Sequence, residues 1–416
     1  MRRFPLLVLA LLASAPAPLG AQLTMGPEAA VSEQDCSKFA PQVAYNSLHE
    51  EYLVVWHDLC ASGTPANHVY GRRLDRWGKP VGGVFEVGAS TDGRNRWDAA
   101  VVYDSVDDHY LVTYTYDYNG DASDLDIRGR YLAWNGPDPA SLEFPIALTG
   151  LDEQGSRVAY SPLSGIFVVV HEREHEDLGS VVAGALFAYG SSPFWFNVAA
   201  SALRVNPDIV YDSFYNLFAV AYDDQSEVYV TVVDDAGDVF FPEVTVSNSN
   251  RPEAYPAVAA CLAQYLVAWD YQWEVDDFDI WARYLYSNAQ PDGDTFPVAQ
   301  TYAGERTPRI ACLFGGLEYL VVYSEEVAGD DVACGNRYTS TKVWSGMFEI
   351  RAPAEGETGI ASWPSTAGGP IGWLVAWRHQ RQVGTPYTDI HARMVWELFA
   401  DGFEWGSTES WSLRFP

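Results

Sequence analysis

"YLVVWHD", Tyr52 to Asp58, begins with five apolar residues and no polar alternation. A strand with one wet face alternates apolar and polar residues, whereas a strand covered on both faces reads as a continuous apolar run. The run recurs with variations: "YLVTYTYD" from 110, "IFVVVHE" from 166, "LFAVAYDD" from 217, "YLVAWDY" from 265, "YLVVYSEE" from 319 and "WLVAWRH" from 373. Each copy closes a longer unit. The units begin "PQVAYNSLHEE" (41), "AAVVYDSVDDH" (99), "SRVAYSPLSG" (156), "PDIVYDSFYN" (207), "PAVAACLAQ" (256), "PRIACLFGGLE" (308) and "TGIASWPSTAGG" (358), spaced 58, 57, 51, 49, 52 and 50 residues apart. That period suits a four-stranded propeller blade.

Working outward, strand A is the short "VAY" segment, and a polar turn such as "DSVDDH" leads into strand B, the apolar run. Strand C follows a variable loop: "HVYGRRL" (68), "DIRGRYL" (126), "DIWARYL" (279), "DIHARMV" (389). Strand D is short: "GVFEVG" (83), "EFPIAL" (143), "FPEVTVS" (241), "TFPVAQ" (295). β-Branched and aromatic residues dominate and no helix-length amphipathic period intervenes, so the chain reads as all-β, a seven-bladed β-propeller of four-stranded blades. The seventh unit lacks a strand D. Pro27–Ser32, in a segment that parallels the stretch before the second unit, is expected to supply it by pairing near Ile390–Val395, closing the ring and removing an open edge. The expected organisation is a signal peptide at 1–21, the propeller at 22–397 and a C-terminal tail at 398–416.

The repeat "P-x-V-A-Y … Y-L-V-V-W … I-x-G-R" resembles the repeats of predicted secreted bacterial β-propeller proteins. It lacks the GH…WD pair of WD40 repeats and the paired glycines of kelch. "STDGRNRW" (90) is similar to the sialidase Asp-box, with its Asp-x-Gly spacing off by one. The tail "LFADGFEWGSTESWS" (398) is similar to a "DGFESG…W" segment of exported bacterial proteins, a resemblance that implies export and no particular chemistry.

The 416 residues carry 56 acids against 25 Lys and Arg, a formal charge of −31. That balance argues against nucleic acid and anionic membranes, and favours solubility, cationic partners or divalent cations. Arg2 and Arg3, the apolar "FPLLVLALLA" and the small residues of "APLGAQ" read as a secretory signal cleaved after Ala21, placing the protein outside the cell or in a periplasm. No later stretch approaches the 18 apolar residues of a membrane span, and a monomer is expected. Export permits disulfides among the five cysteines. Cys36 and Cys60 fall at one face of blade 1 and are expected to pair; Cys261 and Cys312 sit near the ends of adjacent inner strands and either pair or are small buried residues; Cys334 is expected unpaired.

Three patterns bear on chemistry. "HEREH", His171 to His175, has the letters of a zinc-protease helix, but it continues strand B of blade 3. Residues four apart on a strand are separated by roughly 13 Å, too far to share one zinc, and no zinc is expected. The loops after strand B are acidic: Asp121, Asp124 and Asp126 in one, Asp276, Asp277 and Asp279 in another. Hard oxygens on loops suit weak calcium; no other cofactor is expected. Finally, three residues before each strand A stand Lys38, Arg96, Glu153, Arg204, Glu253, Glu305 and Glu355. These are expected to rim the channel mouth, with Trp97 and Tyr255 as stacking platforms. The strand C arginines, Arg72, Arg130, Arg283 and Arg393, are expected to pair with acids ending strand B, such as Asp58 or Asp270. The leading functional expectation is a binding module that uses rim and acidic loops for carbohydrate, protein or a cation. The alternative is a glycosidase or polysaccharide lyase with Glu253, Glu305 or Glu355 as acid/base.

Overall fold

The computed structural model describes residues 23–397, apart from 33–35, 60–66, 89–91, 139–140, 200, 202, 328–329, 352–360 and 381–386. The described residues form seven antiparallel sheets, six of them with four strands in chain order, A to D. In blade 1 these are Ser37–Asn46, Glu51–Leu59, Asn67–Asp75 and Pro80–Glu86. The A strands pack side by side around the axis, that of blade 7 against that of blade 1. Among the described residues no helix is long and apolar enough to cross a membrane.

The continuous apolar runs lie between two packing faces. Tyr52, Val54 and Trp56 enter a core shared with Leu374, Ala376, Ile390 and Met394 of blade 7. Leu53 and Val55, on the opposite face, enter a core shared with Tyr110, Val112 and Tyr114 of blade 2. Blade 5 repeats the division: Tyr265, Val267 and Trp269 face blade 4, and Leu266 and Ala268 face blade 6. Each of the seven apolar clusters of the described residues sits at one blade interface. A fully buried aliphatic or aromatic side chain contributes about 1.5–3 kcal/mol, so strand B supplies two cores at once.

Blade 7 comprises Ala361–Gly368, Trp373–Gln380 and Thr388–Glu397, and its outer strand comes from the N-terminal side of the chain. Ala29 pairs with Ala392 and Ser32 with Ile390, as the repeat count requires. A further strand, Leu23–Met25, extends the pairing to Val395–Glu397. Glu28, between the two, locks the closure. Its carboxylate receives the His391 ring at 2.5 Å and lies 3.2 Å from Arg351 of blade 6.

The strand C arginines do something other than expected. Arg72, Arg130, Arg283 and Arg393 donate to backbone carbonyls of the preceding blade's outer strand region: Val31, Val87, Val246 and Ile350, at 2.7–2.9 Å. Asp58 and Asp270 are not their partners. The reason is position, since an arginine in mid-strand C stands beside the end of the neighbouring strand D, whose carbonyls have no ladder partner there. The glycine of the I-x-G-R motif is explained similarly: a Cβ on Gly129 would come within 2.7 Å of Ile146, and one on Gly71 within 2.9 Å of Phe85.

Cys261 and Cys312 form a disulfide with Cα atoms 5.6 Å apart, joining the ends of the A strands of blades 5 and 6. Cys334 is a free, buried thiol. Cys36 is disulfide-bonded; its expected partner, Cys60, lies outside the described residues.

Candidate functional site

Every A strand carries a bulge near its start. In blade 1, Phe39 pairs with His57 and Gln42 with Val55, one residue too many on strand A. The same register shift recurs between Trp97 and Ala100, Gln154 and Arg157, Val205 and Asp208, Ala254 and Ala257, Arg306 and Arg309, and Ser362 and Ser365. The extra residue is left-handed each time: Ala40, Asp98, Gly155, Asn206, Tyr255, Thr307 and Trp363, with φ between 47° and 67°. Such backbone costs about 1–2 kcal/mol for any residue but glycine, and bulges of this kind re-aim side chains.

Five of the seven bulges are held from behind by the preceding blade. The backbone N–H of Asn206 donates to Glu172 at 2.8 Å, that of Tyr255 to Asp223 at 2.9 Å, that of Thr307 to Asp270 at 2.9 Å and that of Trp363 to the Ser324 hydroxyl at 3.0 Å. Asp98 N–H approaches His57 Nδ1 at 3.4 Å. Each acceptor follows the last aromatic or imidazole position of a strand B run: His57 after Trp56, Glu172 after His171, Asp223 after Tyr222, Asp270 after Trp269, Ser324 after Tyr323. Burial pushes Asp223 up to about 6 and Asp270 up to about 8, the latter also through the neighbouring Asp223. It pushes His57 down to about 4, against the pull of Asp98.

The corners enclose a funnel of about 420 Å³ to which all seven blades contribute. Its aromatic lining is Phe39, Trp97, Tyr255 and Trp363, and its charged lining is Asp98, Glu172, Asp208, Arg157 and Arg309. Tyr255 is 50% exposed and Trp363 38%. Trp363 belongs to a stacked group: Phe39 lies 5.8 Å from it and 5.5 Å from His57, and the Arg378 guanidinium sits 4.8 Å from Phe39 and 5.0 Å from Trp363. Arg157 lies 3.5 Å from Asp98. Burial, and the charge of Arg157, lower the pKa of Arg309 from its ordinary value.

The two expected platform residues, Trp97 and Tyr255, line this funnel. The charged row does not. Lys38, Arg96, Glu153, Arg204, Glu253 and Glu305 are at most 7% exposed. They stand two residues before the left-handed corner, and side chains alternate along a strand; the extra bulge residue brings the positions after them, not the row itself, to the channel wall. Arg96 pairs with Asp92 at 2.9 Å and Glu143 at 2.8 Å, and Arg204 with Glu243 at 2.9 Å. Glu253 accepts from the Trp269 indole at 3.0 Å, while Glu153 and Glu305 accept from Thr149 and Thr301. The row pins the connections between strand D and strand A. Glu355 lies outside the described residues.

Among the acidic-loop residues, Asp121 and Asp276 are exposed, Asp124 and Asp277 half-buried, and Asp126 and Asp279 buried at the start of strand C. "HEREH" ends a ten-residue strand, Ile166–His175. His171 is buried, which pushes it down to about 3, and Glu172 enters the funnel. One group of three ligand atoms lies within 4.8 Å among the described residues, on Glu28, His379 and His391. Arg351 and Arg393, 3.2 and 3.8 Å from Glu28, already supply its positive charge.

Residues that sequence reading missed are Asp98, Glu172, Asp208, Arg157 and Arg309. Aligning the seven repeats by the column after the strand B aromatic would have exposed the acceptors, and the x-Pro pairs at Ala40, Asn206, Tyr255, Thr307 and Trp363 mark the corners.

No family model matches the chain, and no curated protein does. Among solved structures, the Cps50 (Swd1) β-propeller domain of Myceliophteria thermophila aligns over 91% of this chain and all of its own, at 8% identity and a TM-score of 0.51. A Hadza microbial sialidase aligns over 84% of this chain and 76% of its own (10% identity, TM-score 0.48). The catalytic domain of an α-L-arabinofuranosidase from Coprinopsis cinerea aligns over 58% of this chain and 90% of its own (10% identity, TM-score 0.37). What this chain shares with the first of these is the fold, a β-propeller.

Proposed function

We propose that the protein is exported and acts as a monomeric binding propeller that takes a carbohydrate in its funnel. One observation carries this reading: exposed Tyr255 and Trp363 occupy left-handed corners facing a cavity that also holds carboxylates and guanidiniums. Backbone strain kept beneath an exposed aromatic marks a position retained for a ligand. The C–H face of a sugar ring stacks on such aromatics, while its hydroxyls hydrogen-bond to Asp98, Glu172, Asp208 and Arg157, and a concave site with a few convergent polar groups suits a ligand of that size. The acidic balance of the chain supports a partner other than nucleic acid or an anionic membrane. The amino-terminal signal-like segment and the resemblance to repeats of secreted bacterial propellers support export.

The test is a glycan array of the purified protein, followed by titration of the best glycan against Tyr255→Ala and Trp363→Ala. Each substitution is expected to weaken binding about tenfold or more, equivalent to about 1.4 kcal/mol. Unchanged affinity in both variants would remove the funnel from the reading. Turnover of the bound glycan would shift it to hydrolysis, with the acids drawn from Asp98, Glu172 and Asp208 in place of the buried Glu253 and Glu305.

A further inference from the structure

A second concavity, of about 730 Å³, opens on the funnel face beside the corner of blade 5. It is lined by the connection into strand A of blade 5, with Arg251 and Pro252, by the loop after strand B of that blade, with Trp273, and by the connection into blade 6, with Tyr302. Both connections run into corners that line the funnel, Tyr255 and Thr307. Pro252 precedes Tyr255 by three residues, a span of at most about 11 Å along an extended chain. The cleft therefore adjoins the funnel and leads outward from it.

The loop is held to itself and to both connections. The Trp273 N–H donates to Asp277 O at 2.9 Å, the Gln272 N–H to Pro252 O at 3.0 Å and the Gln272 side-chain amide to Val275 O at 3.1 Å. A Cβ added to Gly304, on the connection into blade 6, would stand 3.7 Å from the Asp276 carbonyl. The Arg251 guanidinium sits 5.4 Å from the centre of the Trp273 ring. On this ordered backbone the aromatic side chains are left to solvent: Trp273 is exposed, and Tyr302 is the most exposed large hydrophobic side chain among the described residues. A single exposed apolar residue needs no explanation. Two aromatics lining one concavity, next to a funnel that displays Tyr255 and Trp363, mark a surface kept for a partner.

We propose that this cleft continues the carbohydrate site, so that the protein binds an uncharged polysaccharide chain, one stretch of it against Tyr255 in the funnel and the next against Trp273 and Tyr302. The inference rests on the carbohydrate reading of the funnel and adds the length and charge of the ligand to it. A chain already held at Tyr255 presents its following rings to Trp273 and Tyr302 at high effective concentration, so contacts that are weak alone add affinity. The absence of charge follows from the lining. Glu274, Asp276 and Asp277 stand there against Arg251, a surplus of negative charge that repels polyuronates and sulfated glycans.

The experiment is isothermal titration of the full chain with cello-, xylo-, manno- and malto-oligosaccharides, each as the disaccharide and the hexasaccharide, with the hexamer of galacturonate as the charged control. In the series that binds, the hexasaccharide is expected to bind at least about tenfold tighter than the disaccharide, a comparison that needs no variant. Trp273→Ala and Tyr302→Ala are each expected to weaken the hexasaccharide about 3–10-fold and to leave the disaccharide unchanged, whereas Tyr255→Ala weakens both lengths. Equal affinity for the two lengths, with Tyr255→Ala still harmful, would overturn the cleft and leave the funnel standing. A length preference that survives both Trp273→Ala and Tyr302→Ala would also overturn it, since the chain would then leave the funnel by another path. Loss in Trp273→Ala with none in Tyr255→Ala would put binding in the cleft alone and overturn the continuous site together with the funnel reading. Galacturonate hexamer bound as tightly as the best uncharged hexamer would overturn the charge assignment. Binding of no oligosaccharide of either length would overturn both readings.

Discussion

Glu28 Oε2 lies 3.2 Å from Nε of Arg351, so the N-terminal segment that completes blade 7 is ion-paired to blade 6. Burial raises the Glu28 pKa, but the His391 hydrogen bond and the charge of Arg351 outweigh it and hold the group below its ordinary value. A carboxylate depressed in the folded state stabilises the fold above its unfolded pKa, and the contribution is lost as pH falls through the folded value. Ring closure is thus expected to weaken below about pH 4.3, the ordinary glutamate value. Glu28→Gln should flatten the acid side of a stability-versus-pH curve measured by denaturant titration. A curve identical to wild type would show that closure does not depend on this carboxylate.

Leu53 sits in the core between blades 1 and 2 and is 1% exposed. Leu53→Ala is expected to cost about 2–5 kcal/mol, the transfer of the lost atoms plus the cavity left behind. Urea unfolding measures it. A loss under about 1 kcal/mol would mean that the interface collapses around the gap.

Arg283 donates to Val246 O at 2.8 Å and Gly293 O at 2.9 Å. Arg283→Met keeps much of the stem but leaves the buried end of strand D in blade 4 without its donor, at an expected cost of about 1–3 kcal/mol. Asp270→Asn is the control for the alternative pairing. It should not reproduce the loss in a double-mutant cycle, because the two side chains do not meet.

Tyr255, at φ 53°, separates backbone strain from side-chain function. Tyr255→Gly is expected to be more stable than Tyr255→Ala by about 1 kcal/mol, because glycine alone adopts that conformation freely. Both should lose glycan affinity equally. Equal stability of the two variants would mean that the corner relaxes out of the left-handed region.

The architecture was legible because strand B writes burial on both faces directly into composition: "YLVVW" admits no wet side. Closure by Pro27–Ser32 was legible as a missing repeat part, whereas Leu23–Met25, only three residues long and with no counterpart in the other units, gave no such signal. The funnel was only partly legible. Trp97 and Tyr255 were found as aromatics near the mouth, but the charged row was misplaced because the bulge adds one residue and shifts the phase that an ideal strand would keep. Charge alone points the strand C arginines at acids such as Asp58 or Asp270, and a carbonyl at a strand end has no letter in the sequence.

At five of the seven corners, Asp98, Asn206, Tyr255, Thr307 and Trp363, the structural bond is made by a backbone N–H, and the residue that accepts it belongs to the blade before. Because that bond uses the backbone, it does not fix the residue type, and the chain displays Ala, Asp, Gly, Asn, Tyr, Thr and Trp at the corners in turn. A lineage could rewrite the seven corners one at a time, changing what the funnel recognises while the ring beneath stays the same.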